Sequence, residues 1–207
     1  MLELASQGAQ VLHNRSVELA KKYHVNMEVV SSLERKPGTK VKEVVKMEKT
    51  NIAGVAKDTS IARIAVVGLD HNPGVAFRVF SLLGKAGINV DAIIQSIGRD
   101  TSKDISFTLP RADVEEAVRV LEEQKGALHF DHLTVEDKIA KVSIVGAGMM
   151  TTPGVAAKMF EALYDANINI QMINTSEIRV SVLIDEEDAV AAVRAVHDKF
   201  FGDDSFS

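Results

Sequence analysis

Apolar positions recur in two rhythms along this chain, and both rhythms appear twice in the same order. Runs of alternating or unbroken apolar residues at 62–68 and 141–146 read as strands, the second rhythm of a pleated ribbon or of a strand covered on both faces. Apolar residues three and four apart follow each run: Val75, Val79, Leu82 and Leu83 in one place, and Val155, Met159, Ala162 and Leu163 in the other. That spacing lines one face of a helix. Each helix is expected to open on a Pro-Gly pair, Pro73-Gly74 and Pro153-Gly154, because the N–H that proline lacks is one the first turn cannot use. Gly87-Ile88-Asn89 and Asn167-Ile168-Asn169 then turn the chain into second strands over 90–96 and 170–176. Third strands carry Ile105, Phe107 and Leu109 in the first copy, and Ile178, Val180, Val182 and Ile184 in the second. Further helices start behind Asp113 and near Asp188, where a carboxylate is expected to cap free amides and to suit the helix dipole.

The two copies share one register: Pro73 matches Pro153, Phe80 matches Phe160 and Asn89 matches Asn169, at a constant offset of 80. Each copy is β-α-β-β-α, and each is preceded by one more strand candidate, 52–56 and 133–136. The fold class expected is α+β, two tandem ferredoxin-like units of βαββαβ order, each an antiparallel sheet with its helices on one face. The second copy has no sixth element of its own. Strand 52–56 is therefore expected to complete the second unit and strand 133–136 the first, so that one unit is inserted in the other. The expected divisions are 1–49, 50–130 for the first unit and 131–207 for the second. Within 1–49, Leu2, Ala5, Ala9 and Leu12 have helical spacing, 16–23 reads as a short helix with Val17, Ala20 and Tyr23 inward, and 27–32 reads as a strand.

Composition narrows the chemistry. The chain has 207 residues, 46% of them hydrophobic but only 5% aromatic, so its cores are expected to be built from Val, Ile, Leu and Ala. Cysteine is absent, which removes disulfides, thiolate nucleophiles and thiolate metal sites. A net charge of −5 with both signs interspersed argues against sequence-independent binding to nucleic acid or to anionic lipid. No apolar run reaches the length of a membrane span, and the expectation is a cytoplasmic protein. Gly146-Ala147-Gly148 lacks the third glycine of a dinucleotide loop, since Thr151 holds that place, and no long parallel βαβ series follows. His129 and His132 sit three apart in a strand-like stretch, where they face opposite sides and read as solvated rather than as metal ligands. No metal, cofactor or catalytic residue is expected.

The Pro-Gly loops are the candidates for binding. A loop between a strand end and a helix start presents unpaired amide N–H groups beside the positive end of the dipole. Such amides can hold the carboxylate of a free amino acid, while its ammonium needs acceptors such as Asp70, Asn89 or Gln95. A Pro-Gly pair can also be merely a good turn. The same device at matched positions in both copies favours a ligand site.

The chain resembles the C-terminal regulatory half of aspartokinase, with its tandem ACT domains. The resemblance rests most specifically on Gly54-Val-Ala-Lys-Asp58, Asp104-Ile-Ser-Phe-Thr-Leu-Pro-Arg111 and Asn174-Thr-Ser-Glu-Ile-Arg-Val-Ser181. Leu2-Glu-Leu-Ala-Ser6 and 11–20 look like the last helices of the catalytic domain, with Asn14 where that family usually has proline. The family's Lys-Phe-Gly-Gly-Thr segment, which helps hold ATP and aspartate, has no counterpart here. The resemblance thus implies a β (regulatory) subunit or an equivalent fragment, without phosphotransferase activity of its own, that works on a catalytic α subunit converting ATP and aspartate to 4-phosphoaspartate. It implies ACT units paired with one another through their sheets and an end-product amino acid, threonine or lysine or both, bound at the seam. By matching position, Asp70, Asn72, Pro73, Gly74, Val75 and Ala76 would form the effector loop, with Gln95 and Ser96 on the following strand. Ser106 takes a strand position linked to feedback control. Asn167, Asn169 and Ile170 would close the site from the second unit, and Asn89 and Val90 are their first-unit counterparts. Residues 149–154 form a loop two residues longer than the first, so equal binding by both units is not expected. The alternative is an ACT-domain amino-acid sensor tied to no kinase.

Overall fold

The structure is a computed structural model and describes residues 1–9, 11–34, 36–42, 52–70, 72–97, 103–146 and 152–202. The chain divides into two compact units: unit 1 is Met1–Asp58, Lys141–Ile184 and Asp188–Ser207, and unit 2 is Thr59–Ala140 with Asp185–Glu187.

Element by element, the chain forms α1 (Leu2–Ser6), α2 (Asn14–Lys22), β1 (Met27–Val29), β2 (Thr39–Val41), β3 (Ile52–Asp58), β4 (Ile61–Leu69), α3 (Val75–Lys85), β5 (Ile93–Ile97) and β6 (Lys103–Pro110). It continues with α4 (Val114–Glu123), α5 (Lys125–Leu128), β7 (His132–Glu136), β8 (Ile139–Gly146), α6 (Val155–Asp165), β9 (Met172–Thr175), β10 (Arg179–Asp185) and α7 (Ala189–Phe201).

In unit 2 the strand order is β5-β6-β4-β7, antiparallel at each junction. In unit 1 the order is β3-β8-β10-β9. Strand β3 therefore pairs with β8, far along the chain, and β7 pairs with β4. These are the pairings an inserted arrangement requires, and both sheets have the α+β, ferredoxin-like order. The two units interleave in sequence instead of meeting at 130–131, because a unit without a sixth element borrows its fourth strand from upstream.

The core of unit 2 lies between the sheet and the apolar faces of α3 and α4: Val66, Val79, Leu83, Ile105, Phe107 and Leu121 are all buried. Phe80 meets Phe107 edge-on, with ring centroids 5.6 Å apart. The corresponding core of unit 1 holds Ile144, Met159, Leu163, Val182, Ile184 and Val196. Strand β4 alternates between buried and half-buried positions, whereas β8 is buried at every residue. A strand with helices on one face buries one side only, so something must cover the other face of β8. That cover is the segment around α1, described below.

Several local expectations are corrected. The first residue of α3 and of α6 is Val75 and Val155, after the glycines, so the prolines lie outside the helices. Gly74 (φ 88°) and Gly154 (φ 90°) are the N-caps, a conformation that glycine takes without steric cost. Asp113 and Asp188 do precede helices but make no capping hydrogen bond through their side chains, because a 3-10 turn delivers the chain to each start. Tyr23 is exposed and not inward, and Ala9 and Leu12 lie beyond the end of α1. The short helix α5 has no counterpart in the sequence reading; His129 ends it in the left-handed region (φ 54°). Among the described residues, no helix is long and apolar enough to cross a membrane.

Candidate functional site

Strand β4 ends in an irregularity that aims the chain out of its sheet. Its register with β6 slips between Val66 and Leu69, and Gly68 takes φ 76°. Its N–H donates to Asp104 Oδ1 at 3.0 Å, outside the ladder. A methyl group on Gly68 would press into the Asp131 carboxylate, so glycine is required there both for backbone angle and for space. We expect Gly68→Ala to shift the loop that follows, and comparison of amide shifts for 69–76 between variant and parent checks this.

Beyond Leu69 the chain passes Asp70, Asn72 and Pro73, all exposed, to the Gly74 cap. His71 lies outside the described residues, as do Ala147 to Thr151 of the matching loop. The first intrahelical bond runs from Arg78 N–H to Gly74 O at 3.0 Å. Earlier N–H groups of the turn, at Val75 and Ala76, thus face the loop without an acceptor inside the helix. Val75 is buried and Ala76 half-buried, so backbone rather than side chain is what the loop offers at these two positions.

Register sorts the remaining candidates by face. Phe107 touches Phe80 of α3, so its row faces the helices, and Ile105, two residues away, shares that face. Gln95 stands opposite Ile105 and is exposed at the sheet edge. Gln95 therefore lies on the helix side, at the end of the sheet where the Asp70–Ala76 loop begins, since Leu69 pairs with Lys103 at that end. Ser96 stands opposite Asp104, and Ser106 opposite both Ile94 and Ala65. Both serines belong to the opposite face. Asp70 and residues 72–76 thus follow β4 at the end of the sheet where Gln95 stands, whereas Ser96 and Ser106 lie on the other face.

Asn89 and Val90 are separated from the loop for another reason. They follow α3, whose 11 residues carry the chain about 16 Å along the helix axis. Ala92, just beyond, exchanges hydrogen bonds with Thr108 near the far end of β6. Within unit 2, Asn89 and Val90 cannot share one small ligand with Asp70. Asn167, Asn169 and Ile170 hold the same places after α6 in unit 1. Asn167 (φ 56°) matches Gly87 (φ 74°), and the following N–H groups of Ile168 and Ile88 close back on Leu163 and Leu83 at 2.9 and 3.0 Å. Asn167 thus has a conformational role as a helix terminator, with Asn169 exposed and Ile170 half-buried next to it.

The edge strand itself completes the picture. Ile93 and Ile94 on β5 and Ile173 on β9 are exposed large apolar residues on strands with one unpaired edge, a surface that another strand can extend. Among the described residues, no group of three or more His, Cys, Asp or Glu is placed to hold a metal ion.

A family model described as ACT domain matches the chain twice, over residues 64–124 and 142–200. These spans cover the β-α-β-β-α body of each unit in turn. The chain belongs to the ACT domain family. Its ACT units resemble those of one enzyme throughout. Aspartokinase 2 of Bacillus subtilis is 47% identical over 201 residues, which is 97% of this chain and 49% of that protein. A solved structure of the regulatory subunit of aspartate kinase from Thermus thermophilus, in ligand-free form, is 42% identical with a TM-score of 0.69 and covers 73% of this chain and 99% of its own. A structure of aspartokinase alpha and beta subunits is 43% identical with a TM-score of 0.67, over 72% of this chain and 98% of that one. This chain spans about half the length of the curated relatives it matches. It is thus an aspartokinase-type regulatory ACT region.

Proposed function

We propose that this chain controls an aspartokinase by binding an end product of the aspartate-family amino-acid pathway, threonine or lysine or both. The observation that carries this reading is the conjunction at one end of unit 2. A glycine-capped helix start, the loop residue Asp70 before it and the exposed Gln95 on an open edge strand lie at the same end of the sheet, with Gln95 on its helix side. The helix start suits an α-carboxylate through its amides and dipole, and Asp70 suits an α-ammonium. Gln95 can donate and accept, as the remaining polar group of an amino acid requires. Asn167, Asn169 and Ile170 are proposed to contribute to an ACT–ACT pairing in which two edge strands join, with Ser96 and Ser106 sensing that pairing from the opposite face.

The partner proposed is the catalytic α subunit, which transfers phosphate from ATP to aspartate in the cytoplasm. The similarity to a regulatory subunit over nearly its whole length supports this division of labour. A second copy of the chain is proposed to pair through the exposed edges of β5 and β9. Effector binding and kinase state are then linked reciprocally, with a coupling of about 1–3 kcal/mol.

Calorimetric titration of the chain with threonine, lysine, methionine and isoleucine tests the reading. Saturable binding of threonine or lysine is expected. Asp70→Ala and Gln95→Ala are each expected to weaken it at least about tenfold, the loss of one hydrogen bond to a charged group, with an unchanged melting temperature. Absence of binding by all four, with and without the catalytic partner, overturns the reading. Binding that leaves kinase activity unaltered would leave a sensor tied to no kinase.

A further inference from the structure

The two units differ on the sheet face that turns away from their helices. In unit 2 one row across that face is Ile94, Ser106, Ala65 and Thr134, and all four are exposed or half-buried. The matching row in unit 1 is Asn174, Ser181, Ser143 and Ala56: Asn174 stands opposite Ser181 and Ser143 opposite Ala56, while Ser143 Oγ and Ser181 Oγ are 2.7 Å apart. Ser181 follows its strand in the place that Ser106 takes in unit 2, each four residues before the strand's last residue.

In unit 1 this row is covered. The Ser143 hydroxyl donates to Gln7 Oε1 at 3.4 Å. Arg179 Nη1 donates to Glu3 Oε1 at 3.2 Å. Leu4 lies over Gly54, and Gly8 passes so close to the Lys57 carbonyl that a methyl group would not fit. Gln7, Ser143 and Ser181 are 3%, 0% and 4% exposed, a buried polar cluster where three apolar side chains would pack without desolvation cost. Such a cluster fixes one register of two elements, because a slide of one residue leaves its groups unpaired. Residues 1–9 lie outside both ACT-matched spans, so the cluster joins ACT sheet to non-ACT chain.

We infer that Gln7, Ser143 and Ser181, with the Glu3–Arg179 pair, form the joint through which ligand occupancy of the ACT sheet is passed to the non-ACT part of the protein. The inference rests on the effector reading above. The path is short. Asn167, Asn169 and Ile170 lead directly into β9, β9 pairs with β10 through Asn174 and Ser181, and β10 carries both Ser181 and Arg179. A displacement of the edge strand on ligand binding or pairing reaches α1 through two strands and one hydroxyl pair. Gln7, Ser143 and Ser181 are positioning residues in this scheme and touch no ligand.

Hydrogen exchange of the whole chain, with and without saturating threonine or lysine, tests it. In the parent chain the amides of 2–9 are expected to change their exchange rate about fivefold or more on saturation, the low end of a usual coupling. In Ser181→Ala and, separately, in Ser143→Ala, that change is expected to vanish while the calorimetric Kd stays within about twofold, a difference below half a kcal/mol. Binding in the parent without any change in 2–9 overturns the joint and leaves the effector reading standing. Loss of binding together with loss of coupling in both variants overturns it too, since the serines would then serve the fold or the site. Failure of the parent to bind either amino acid, with or without catalytic partner, overturns the effector reading and the joint with it.

Discussion

Replacing Phe107 by alanine is expected to destabilise unit 2 by about 3–5 kcal/mol, the usual range for removing a buried ring. Phe107 is fully buried at the centre of β6, paired across the sheet with Ile64 on one side and Ile93 on the other, and Phe80 leans on it edge-on from α3. The surrounding side chains are branched aliphatics fixed by two strands and a helix, so the cavity cannot close by rotation of a neighbour. A loss of this size is a large share of the stability of a domain. Denaturant unfolding monitored by amide exchange, unit by unit, checks it: protection across β4 to β6 is expected to fall to a level where unit 2 opens readily, while α6, α7 and β8 in unit 1 keep theirs. Unaltered protection in β4 to β6 would mean that the core tolerates the void, and that packing around this ring is not what holds unit 2.

Gly8→Ala is expected to have the next largest effect, through backbone rather than cavity. Gly8 takes φ 94°, where a residue with a Cβ is strained by about 1–3 kcal/mol. The added methyl would also press into the Lys57 carbonyl oxygen and the Asp58 side chain, and a strand carbonyl has little freedom to retreat. The cheapest response is for 1–9 to lift from the sheet, which exposes Gln7 and Ser143 to water. We expect rapid exchange of the 2–9 amides and a lower melting temperature, with the β3–β8 ladder intact. On the proposed regulatory function, a kinase assay with the proposed catalytic partner is expected to show weaker inhibition by the effector amino acid while its Kd holds. If α1 stays protected in this variant, the glycine is not needed for the close approach, and the contact is looser than its geometry implies.

Much of this architecture is legible in the residues, for identifiable reasons. Helix faces such as Val75, Val79 and Leu83 show in the spacing because one side of each helix packs on one sheet. The paired copies show because a duplicated unit keeps its turn chemistry: Pro-Gly before a helix, and Gly87 or Asn167 after it, each at a position whose backbone angle restricts the choice. The candidate loop Asp70 to Ala76 is legible for the same reason. The places where expectation and structure part are equally specific. Asp113 and Asp188 look like caps because a carboxylate before a helix usually is one, yet a 3-10 turn intervenes. Tyr23 reads as inward from spacing alone, but α2 buries only Val17. Gln95, Ser96 and Ser106 appear in sequence as one group, and strand register divides them between two faces.

The sequence by itself determined that this protein is two copies of one α+β unit, which residues line each core, and where each copy turns from strand to helix. Those are consequences of local spacing and of backbone angles that few residue types allow. The exchange of strands β3 and β7 was also legible, because the second copy lacks a sixth element of its own and one more strand precedes each copy. Tertiary structure alone decided the separation of Asn89 from Asp70, the division of Gln95 from Ser96 and Ser106 between two faces, and the cover that Gln7 places over Ser143 and Ser181. Each depends on where the packed chain carries a residue or a distant segment, which local spacing and backbone angle leave open.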